Sequence, residues 1–147
     1  MADTKNKVAL ITGGSRGIGK AIAMEFGNLG YHIAFNYFRN HDAAEQTQGE
    51  IENLGVRCLK LRAHLAEPDQ IANMFQSVEQ EFGSIDVLIN NAASGVQRNA
   101  DELTTKHWDW TMNINARAPW LCSIEAAKIM PNGGSIVNIT SEGSRKV

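Results

Sequence analysis

Short apolar runs that alternate with helix-like segments constrain the fold of this chain more than any other feature. These runs are Val8–Ile11, His32–Asn36, Val56–Leu61, Ile85–Ile89 and Ser135–Ile139, and their content of Val, Ile and Leu predicts five β-strands. The order βαβαβαβαβ predicts a parallel sheet with right-handed crossovers, which is an α/β fold. The first and fourth runs are almost wholly apolar and are expected in the sheet centre, whereas the alternating third run is expected nearer an edge.

Helical periodicity predicts the segments between the strands. The helix from residue 18 to 29 is expected to bury one apolar face, formed by Ile18, Ile22, Phe26 and Leu29. A polar helix is predicted for residues 43–54. The next helix begins near Pro68, ends at Gly83 and carries an apolar stripe, formed by Ile71, Met74, Phe75, Val78 and Phe82.

A long helix is predicted for residues 105–130, with Thr104 or Thr105 as its N-cap. Pro119 lies inside this segment, and a proline there is expected to kink or break the helix. The tryptophans are interpreted as core and helix-packing residues rather than a stacking platform: Trp108, Trp110 and Trp120.

Composition is that of an ordinary globular domain, because 43% of the 147 residues are hydrophobic and 20% are charged. A formal net charge of −2 gives no sign of nucleic-acid binding. A polar N-terminus and the lack of a long apolar run favour neither a signal peptide nor a membrane span. Cys58 and Cys122 form no metal or redox motif, and the histidines lack metal-ligand spacing, so a cytoplasmic protein without a metal site is expected.

A glycine-rich segment, Thr12-Gly13-Gly14-Ser15-Arg16-Gly17-Ile18-Gly19, follows the first strand directly and opens the first helix. Gly13 is expected to allow the sharp turn, Gly17 the close approach of a pyrophosphate, and Gly19 the packing of the helix against the strand. The N-terminus of the helix supplies free N–H groups and a partial positive charge. The segment therefore predicts dinucleotide binding, with a structural glycine turn as the alternative.

The end of the second strand bears on the type of dinucleotide. The segment Asn36-Tyr37-Phe38-Arg39-Asn40 has no acidic residue that would bind a ribose 2′-hydroxyl. Arg39 and Arg16 are instead expected to converge on a 2′-phosphate, because a guanidinium binds phosphate in a bidentate manner. NADP(H) is therefore predicted, with two solvated surface arginines as the alternative.

The glycine-rich segment, together with Asn90-Asn91-Ala92-Ala93 after the fourth strand, resembles the short-chain dehydrogenase/reductase family over the whole chain. The resemblance implies a Rossmann-like doubly wound sheet in a single dinucleotide-binding domain, residues 1–147. Asn90-Asn91-Ala92-Ala93-Ser94-Gly95 and the run from His107 to Ala116 are similar to a subgroup of the family, the NADPH-dependent enoyl-acyl-carrier-protein reductases of subgroup III. That similarity implies reduction of enoyl thioesters in fatty-acid synthesis.

The family resemblance also implies a set of site residues. Asn115 is expected to help hold a water of the proton relay, and Ser141 to stabilise the substrate oxygen, with a strand-end cap as the alternative for Ser141. His64 stands where many family members have an aspartate beside the adenine, and it is expected either to hydrogen-bond the adenine or to lie at the surface. Cofactor contacts are expected from Gly13, Ser15, Arg16, Gly17, Ile18, Gly19, Arg39, His64, Leu65, Asn90 and Ala92.

In the family, a tyrosine and a lysine that follow the fifth strand complete the catalytic site. The tyrosines here are Tyr31 and Tyr37, which flank the second strand, so the sequence is interpreted as an N-terminal portion that stops before the catalytic segment and the last strands. The alternatives are a 3-ketoacyl-acyl-carrier-protein reductase, another short-chain dehydrogenase, or a non-catalytic NADP-binding fragment. The expected substrate is an acyl thioester on acyl carrier protein or coenzyme A. Homo-oligomerisation is expected through two apolar surfaces. One is the fifth strand, which would be an unpaired edge of the sheet, and the other is an exposed helical face with Leu121, Ile124 and Ile129.

Overall fold

Five parallel strands form one sheet in the computed structural model, which describes residues 6–142. In chain order they are β1 (Val8–Ile11), β2 (His32–Tyr37), β3 (Cys58–Arg62), β4 (Val87–Asn90) and β5 (Ser135–Asn138). The spatial order β3-β2-β1-β4-β5 confirms the parallel sheet, with β1 at its centre and β3 at an edge. The first residues of the polar N-terminus, on which the signal-peptide interpretation rests, lie outside the described residues.

Five α-helices connect the strands: α1 (Gly17–Asn28), α2 (His41–Glu52), α3 (Pro68–Phe82), α4 (Thr105–Met112) and α5 (Ala118–Lys128). A short 3-10 turn at Ala100–Glu102 precedes α4. The apolar stripe of α3 is buried as predicted, with Pro68 in the first turn and Gly83 as the C-cap. Within residues 6–142, every helix is too short or too polar to cross a lipid bilayer.

The predicted long helix is interrupted between α4 and α5. Thr104 caps α4 through a capping box with His107. A π-helical segment, Asn113–Arg117, follows and leads directly into the first turn of α5, where Pro119 lies. Proline has no N–H to donate to the carbonyl four residues earlier, so the regular α-helical ladder cannot continue through this point. The prediction that Pro119 marks a kink or break is thus confirmed, with the interruption just before the proline.

Two apolar clusters cover the two faces of the sheet, as in a Rossmann-like doubly wound fold. One cluster joins Leu10 and Leu88 to α3 and α5, where Cys122 is fully buried. The other joins Ile11 and Phe35 to α1 and α2. Because helices pack on both faces, the central strands are apolar along their whole length.

The predicted apolar face of α1 is wrong. Ile18 and Leu29 are 65% and 61% exposed, and Ile22 and Phe26 are only partly buried. The fully buried face of α1 instead carries Gly19, Ala23 and Gly27. These small residues bring the helix backbone close to its neighbours, so the larger side chains are displaced to the rim of the interface.

The interpretation of the tryptophans as core residues is also wrong. Trp108, Trp110 and Trp120 are 68%, 40% and 60% exposed, because α4 buries no residue and α5 turns a different face to the sheet. The apolar helical face that was predicted to be exposed is exposed only in part. Ile124 is 41% exposed and Leu121 is partly buried, but Ile129 is only 7% exposed and belongs to the core. The backbone N–H of Ile85 donates to the Ile129 carbonyl, which holds the end of α5 under the sheet.

Candidate functional site

A cleft of about 620 Å³ opens at the carboxyl ends of the central strands. Its walls are the turn after β1, the ends of β2 and β3, the segment that follows β4, and two residues from the α4 region, Trp110 and Ile114. In an open parallel sheet this edge is where ligands bind, since loops from several strands converge there.

The glycine-rich turn owes its shape to close backbone contacts. Gly13 has a φ of +66°, and a Cβ there would lie 3.0 Å from Ala92 Cα. A Cβ at Gly14 would lie 2.5 Å from Phe35 Cβ, and a Cβ at Gly19 would lie 2.2 Å from the Gly13 carbonyl oxygen. Gly17 differs, because its φ is +56° but no atom lies within 4 Å of a Cβ built there. The space beside Gly17 is therefore free for a ligand.

A buried asparagine on β2 holds the start of this turn. Asn36 is 2% exposed, and its Oδ1 accepts a hydrogen bond from Gly13 N at 3.1 Å. Its Nδ2 donates to the Ala63 carbonyl at 2.9 Å. From α2, the buried Thr47 hydroxyl donates to the Ser15 carbonyl at 2.9 Å. The turn is thus attached to β2, to the end of β3 and to α2.

Two side chains join the turn to the end of β4. The Thr12 hydroxyl oxygen accepts hydrogen bonds from Asn91 N and Ala92 N, both at 3.0 Å. The Asn91 Nδ2 donates to the carbonyls of Thr12 and Gly13 at 3.0 and 3.2 Å. These bonds give the carbonyls of Thr12 and Gly13 a partner and attach the turn to the segment that follows β4.

The N-terminus of α1 has no capping side chain and no acidic residue in its first turn. By contrast, the Asn40 side chain caps α2 and Thr104 caps α4. The first N–H groups of a helix have no partners within the helix and carry the positive end of its dipole. The α1 terminus, which borders the cleft through Gly17, Ile18 and Gly19, is therefore suited to an anionic ligand.

Four residues form the outer rim of the cleft, and we call them the rim cluster: Phe38, Arg39, His64 and Trp110. The Phe38 and His64 rings stack with centroids 4.2 Å apart. The Arg39 guanidinium carbon lies over Phe38 and over Trp110, 5.6 and 5.7 Å from the ring centroids. Arg16 also lines the cleft, whereas none of the lining residues is acidic, so the positive charge of this wall is not neutralised.

Most of the predicted cofactor residues meet in this cleft. The lining residues among them are Gly13, Ser15, Arg16, Gly17, Ile18, Gly19, Arg39, His64, Leu65 and Ala92. Arg16 and Arg39 are both exposed, as the solvated alternative requires, and both line the cleft, Arg16 in the turn after β1 and Arg39 just after β2. His64 is half-buried in the rim cluster, and its backbone N–H donates to Gln70 Oε1.

Asn90, Asn115 and Ser141 do not line the cleft. Asn90 is 5% exposed, and its Nδ2 donates to Asn138 Oδ1 at 2.9 Å, which ties β4 to β5. Asn115 pairs with the Ser94 backbone, since its Oδ1 accepts from Ser94 N and its Nδ2 donates to Ser94 O at 2.9 and 2.7 Å. Ser141 lies just past the end of β5 and is exposed. The catalytic roles of Asn115 and Ser141 and the cofactor role of Asn90 stay predictions.

Sequence reasoning missed Asn36 and Trp110, which both line the cleft. Asn36 was visible as the polar residue inside an otherwise apolar strand, since a buried amide needs partners. Trp110 gave no such signal, because Arg39, whose guanidinium lies over its ring, is distant in sequence.

The two free thiols lie outside the cleft, with Cys122 fully buried and Cys58 half-buried. Burial, with a smaller contribution from nearby carboxylates, raises the pKa of Cys58 and of Cys122 to about 12. Neither is a thiolate at neutral pH, so neither is a nucleophile. Within residues 6–142, no group of three metal-ligating side chains lies close enough to hold a metal ion.

Comparison with known proteins extends these observations. A family model described as short chain dehydrogenase matches residues 7–147. The 3-oxoacyl-acyl-carrier-protein reductase FabG of Staphylococcus epidermidis is 35% identical over 138 residues, which cover 92% of this chain and 57% of that protein. The chain thus spans little more than half the length of such relatives.

Solved structures agree with the fold. A short chain dehydrogenase from Burkholderia cenocepacia in complex with NADP superposes with a TM-score of 0.93 at 36% identity, covering 98% of this chain and 59% of that one. A blue fluorescent protein from a metagenomic library in complex with NADPH gives a TM-score of 0.92 at 36% identity, covering 99% and 61%.

Proposed function

This chain belongs to the short-chain dehydrogenase family, and from that premise we propose that it forms the NADP(H)-binding part of an oxidoreductase. One observation carries the proposal: the uncapped N-terminus of α1 and the open space beside Gly17 face a cleft whose charged lining residues, Arg16 and Arg39, are both cationic. Relatives with the same fold have been solved with NADP or NADPH, which supports this choice of ligand.

The residues present fit such a cofactor. Gly17 leaves room for a pyrophosphate to approach the backbone, and the free N–H groups of α1 suit its negative charge. Leu65 and Ile114 offer apolar surface along the same cleft. When bound, NADPH supplies the hydride for reduction.

Selectivity for the phosphorylated cofactor is assigned to Arg39 and Arg16. The polar residue near the end of β2 is Asn36, and its amide is already committed to Gly13 and Ala63. No acidic side chain is available at this wall to accept a ribose 2′-hydroxyl. The guanidinium groups are suited to bind a 2′-phosphate.

The proposed substrate is an enoyl thioester on acyl carrier protein. The similarity of residues 90–95 and 107–116 to the NADPH-dependent enoyl-acyl-carrier-protein reductases implies this substrate. Hydride added to the β-carbon produces an enolate, and Ser141 is proposed to stabilise the substrate oxygen. A 3-ketoacyl thioester is the second candidate, favoured by the 35% identity to a 3-oxoacyl reductase. The proposal places the reaction in the cytoplasm and includes self-association through β5 and α5.

The first experiment titrates the 147-residue chain with NADPH and NADH by isothermal calorimetry. Tighter binding of NADPH supports the cofactor assignment, whereas binding of neither nucleotide contradicts it. Static light scattering tests self-association, and a monodisperse monomer would contradict that part of the proposal.

The second experiment assays the product of the complete reading frame with crotonyl and acetoacetyl thioesters and NADPH. Reduction of the crotonyl thioester supports the enoyl assignment, and reduction of the acetoacetyl thioester alone supports the second candidate. Cofactor binding without turnover of either substrate supports a non-catalytic NADP-binding role.

A further inference from the structure

We propose that Trp110, through its contact with Arg39, sets the preference for NADP(H) over NAD(H). This inference rests on the proposed function, because it concerns how the cleft recognises the 2′-phosphate. Trp110 is a positioning residue here: its ring faces the guanidinium, and the guanidinium is the group assigned to the phosphate.

The contacts of the Arg39 side chain carry the argument. Within residues 6–142 its guanidinium has no salt bridge to a carboxylate, and what surrounds it is aromatic: the rings of Phe38 and Trp110, at 5.6 and 5.7 Å. Both distances lie in the range where a cation is attracted to a ring face. A carboxylate partner would neutralise the charge that a phosphate needs, whereas an aromatic ring leaves the N–H groups of the guanidinium available.

Both rings are themselves held by other contacts. The Trp110 Nε1 donates a hydrogen bond to Ser94 Oγ at 2.6 Å, which fastens the indole to the segment after β4. Ser94 is in turn held by two hydrogen bonds between its backbone and the side chain of Asn115. On the other side, Phe38 stacks on His64, whose ring also lies 6.1 Å from Trp110. Arg39 is therefore bordered by rings that are anchored to two different walls of the cleft.

This arrangement reduces the entropic cost of phosphate binding. An exposed arginine samples many rotamers, and immobilising such a side chain on binding costs conformational entropy. Arg39 is exposed, so without the rings its position would not be restrained. A guanidinium already held at the rim loses less freedom when it pairs with a phosphate.

The test measures the dissociation constants of NADPH and NADH for the protein and for Trp110→Leu. We expect the substitution to weaken NADPH about tenfold, which corresponds to ~1.4 kcal/mol, and to change NADH by less than about twofold. Trp110→Phe keeps an aromatic face and is expected to retain most of the preference. Trp108→Leu is the matched control, because Trp108 lies on the same helix, is 68% exposed and does not line the cleft, so both constants should stay unchanged.

A double-mutant cycle with Arg39→Ala separates this role from a general structural one. If Trp110 acts through Arg39, then Trp110→Leu causes no further loss of NADPH affinity in the Arg39→Ala background. Additive losses, or equal weakening of NADPH and NADH by Trp110→Leu, would overturn the inference. Circular dichroism checks folding, and if Trp110→Leu is unfolded, Ser94→Ala, which removes only the hydroxyl, is judged by the same criteria.

The behaviour of the unsubstituted protein keeps the two proposals apart. Binding of neither nucleotide would overturn the proposed function itself. Equal binding of NADPH and NADH would leave dinucleotide binding intact and overturn the role of the Arg39–Trp110 contact.

Discussion

The side-chain oxygen of Asn36 accepts a hydrogen bond from the backbone N–H of Gly13 at 3.1 Å. A buried residue of β2 thereby holds the second residue of the turn that follows β1. The Asn36 amide nitrogen also donates to the carbonyls of Ala63 and Tyr37, so one side chain links the ends of three neighbouring strands. The floor of the cleft depends on this link.

Asn36→Ala is expected to destabilise the fold and weaken NADPH binding together. The substitution leaves Gly13 N and the Ala63 carbonyl without this partner, and a buried unsatisfied group costs about 1–3 kcal/mol. Urea unfolding and NADPH titration measure the two effects. The control is Asn53→Ala at an exposed helix end, for which a change within about 0.5 kcal/mol is expected. Equal stability of the two variants would contradict the role of Asn36.

Gly19→Ala is expected to disrupt the turn. Its Cβ would lie 2.2 Å from the Gly13 carbonyl oxygen, a backbone atom that can move only with the turn itself. We expect a loss of roughly 1–3 kcal/mol or more of unfolding free energy, together with loss of NADPH binding.

Gly49→Ala is the matched control for Gly19→Ala. Gly49 also lies inside a helix, but no atom lies within 4 Å of a Cβ built there. Because alanine is the better helix former, the control is expected to gain about 0.5–1 kcal/mol. A Gly19→Ala protein as stable as the Gly49→Ala protein would rule out the close packing described for the turn.

Gly17→Ala separates backbone strain from ligand approach. Gly17 has a positive φ of +56° with free space beside it, so alanine there is expected to cost about 1–2 kcal/mol through the backbone alone. The added methyl group also occupies the space assigned to the pyrophosphate, so NADPH and NADH should both bind at least about tenfold more weakly.

Gly55→Ala is the comparison for this effect. Gly55 has a φ of +83°, also has free space beside it, and lies outside the cleft. A similar loss of stability with unchanged nucleotide affinity is expected. Unchanged affinity in Gly17→Ala as well would place the pyrophosphate elsewhere.

The two cysteines are expected to resist alkylation in the folded protein. Burial raises the pKa of each thiol to about 12, so the reactive thiolate is scarce at pH 8. Iodoacetamide labelling followed by mass spectrometry should modify both residues in urea and leave Cys122, the fully buried one, unmodified without it. Rapid labelling of Cys122 in the native protein would contradict its burial.

The same shift predicts how stability depends on pH. The folded state holds the thiol protons more tightly than the unfolded chain, whose thiols keep their ordinary pKa of 9.0. This stabilisation is complete below pH 9 and is lost as the pH rises toward about 12. Urea unfolding at several pH values measures the free energy of unfolding of the protein and of the double variant Cys58→Ala/Cys122→Ala. Over this pH window, the free energy of unfolding should decline less steeply for the variant. Parallel curves would contradict the shift.

Local patterns were sufficient for much of the fold. The strands, the turn and the stripe of α3 depend on residues close in sequence, and each was predicted near its observed place. The buried face of α1 was predicted wrongly. That face consists of the small residues Gly19, Ala23 and Gly27, and a hydrophobicity pattern does not identify small residues as buried. The exposure of the tryptophans was missed because nothing near them in sequence shows that α4 buries none of its residues.

The sequence by itself determined the alternation of strands and helices, the parallel sheet and the glycine-rich turn between β1 and α1, since these follow from spacing along the chain. Only the tertiary structure decided that Asn36 supports Gly13 and that Trp110 faces Arg39. The physical reason is that these partners meet through the order of strands and the path of α4. The energies of these two contacts depend on distances between segments that are far apart in sequence. The spacing of residues within a single segment carries no information about those distances.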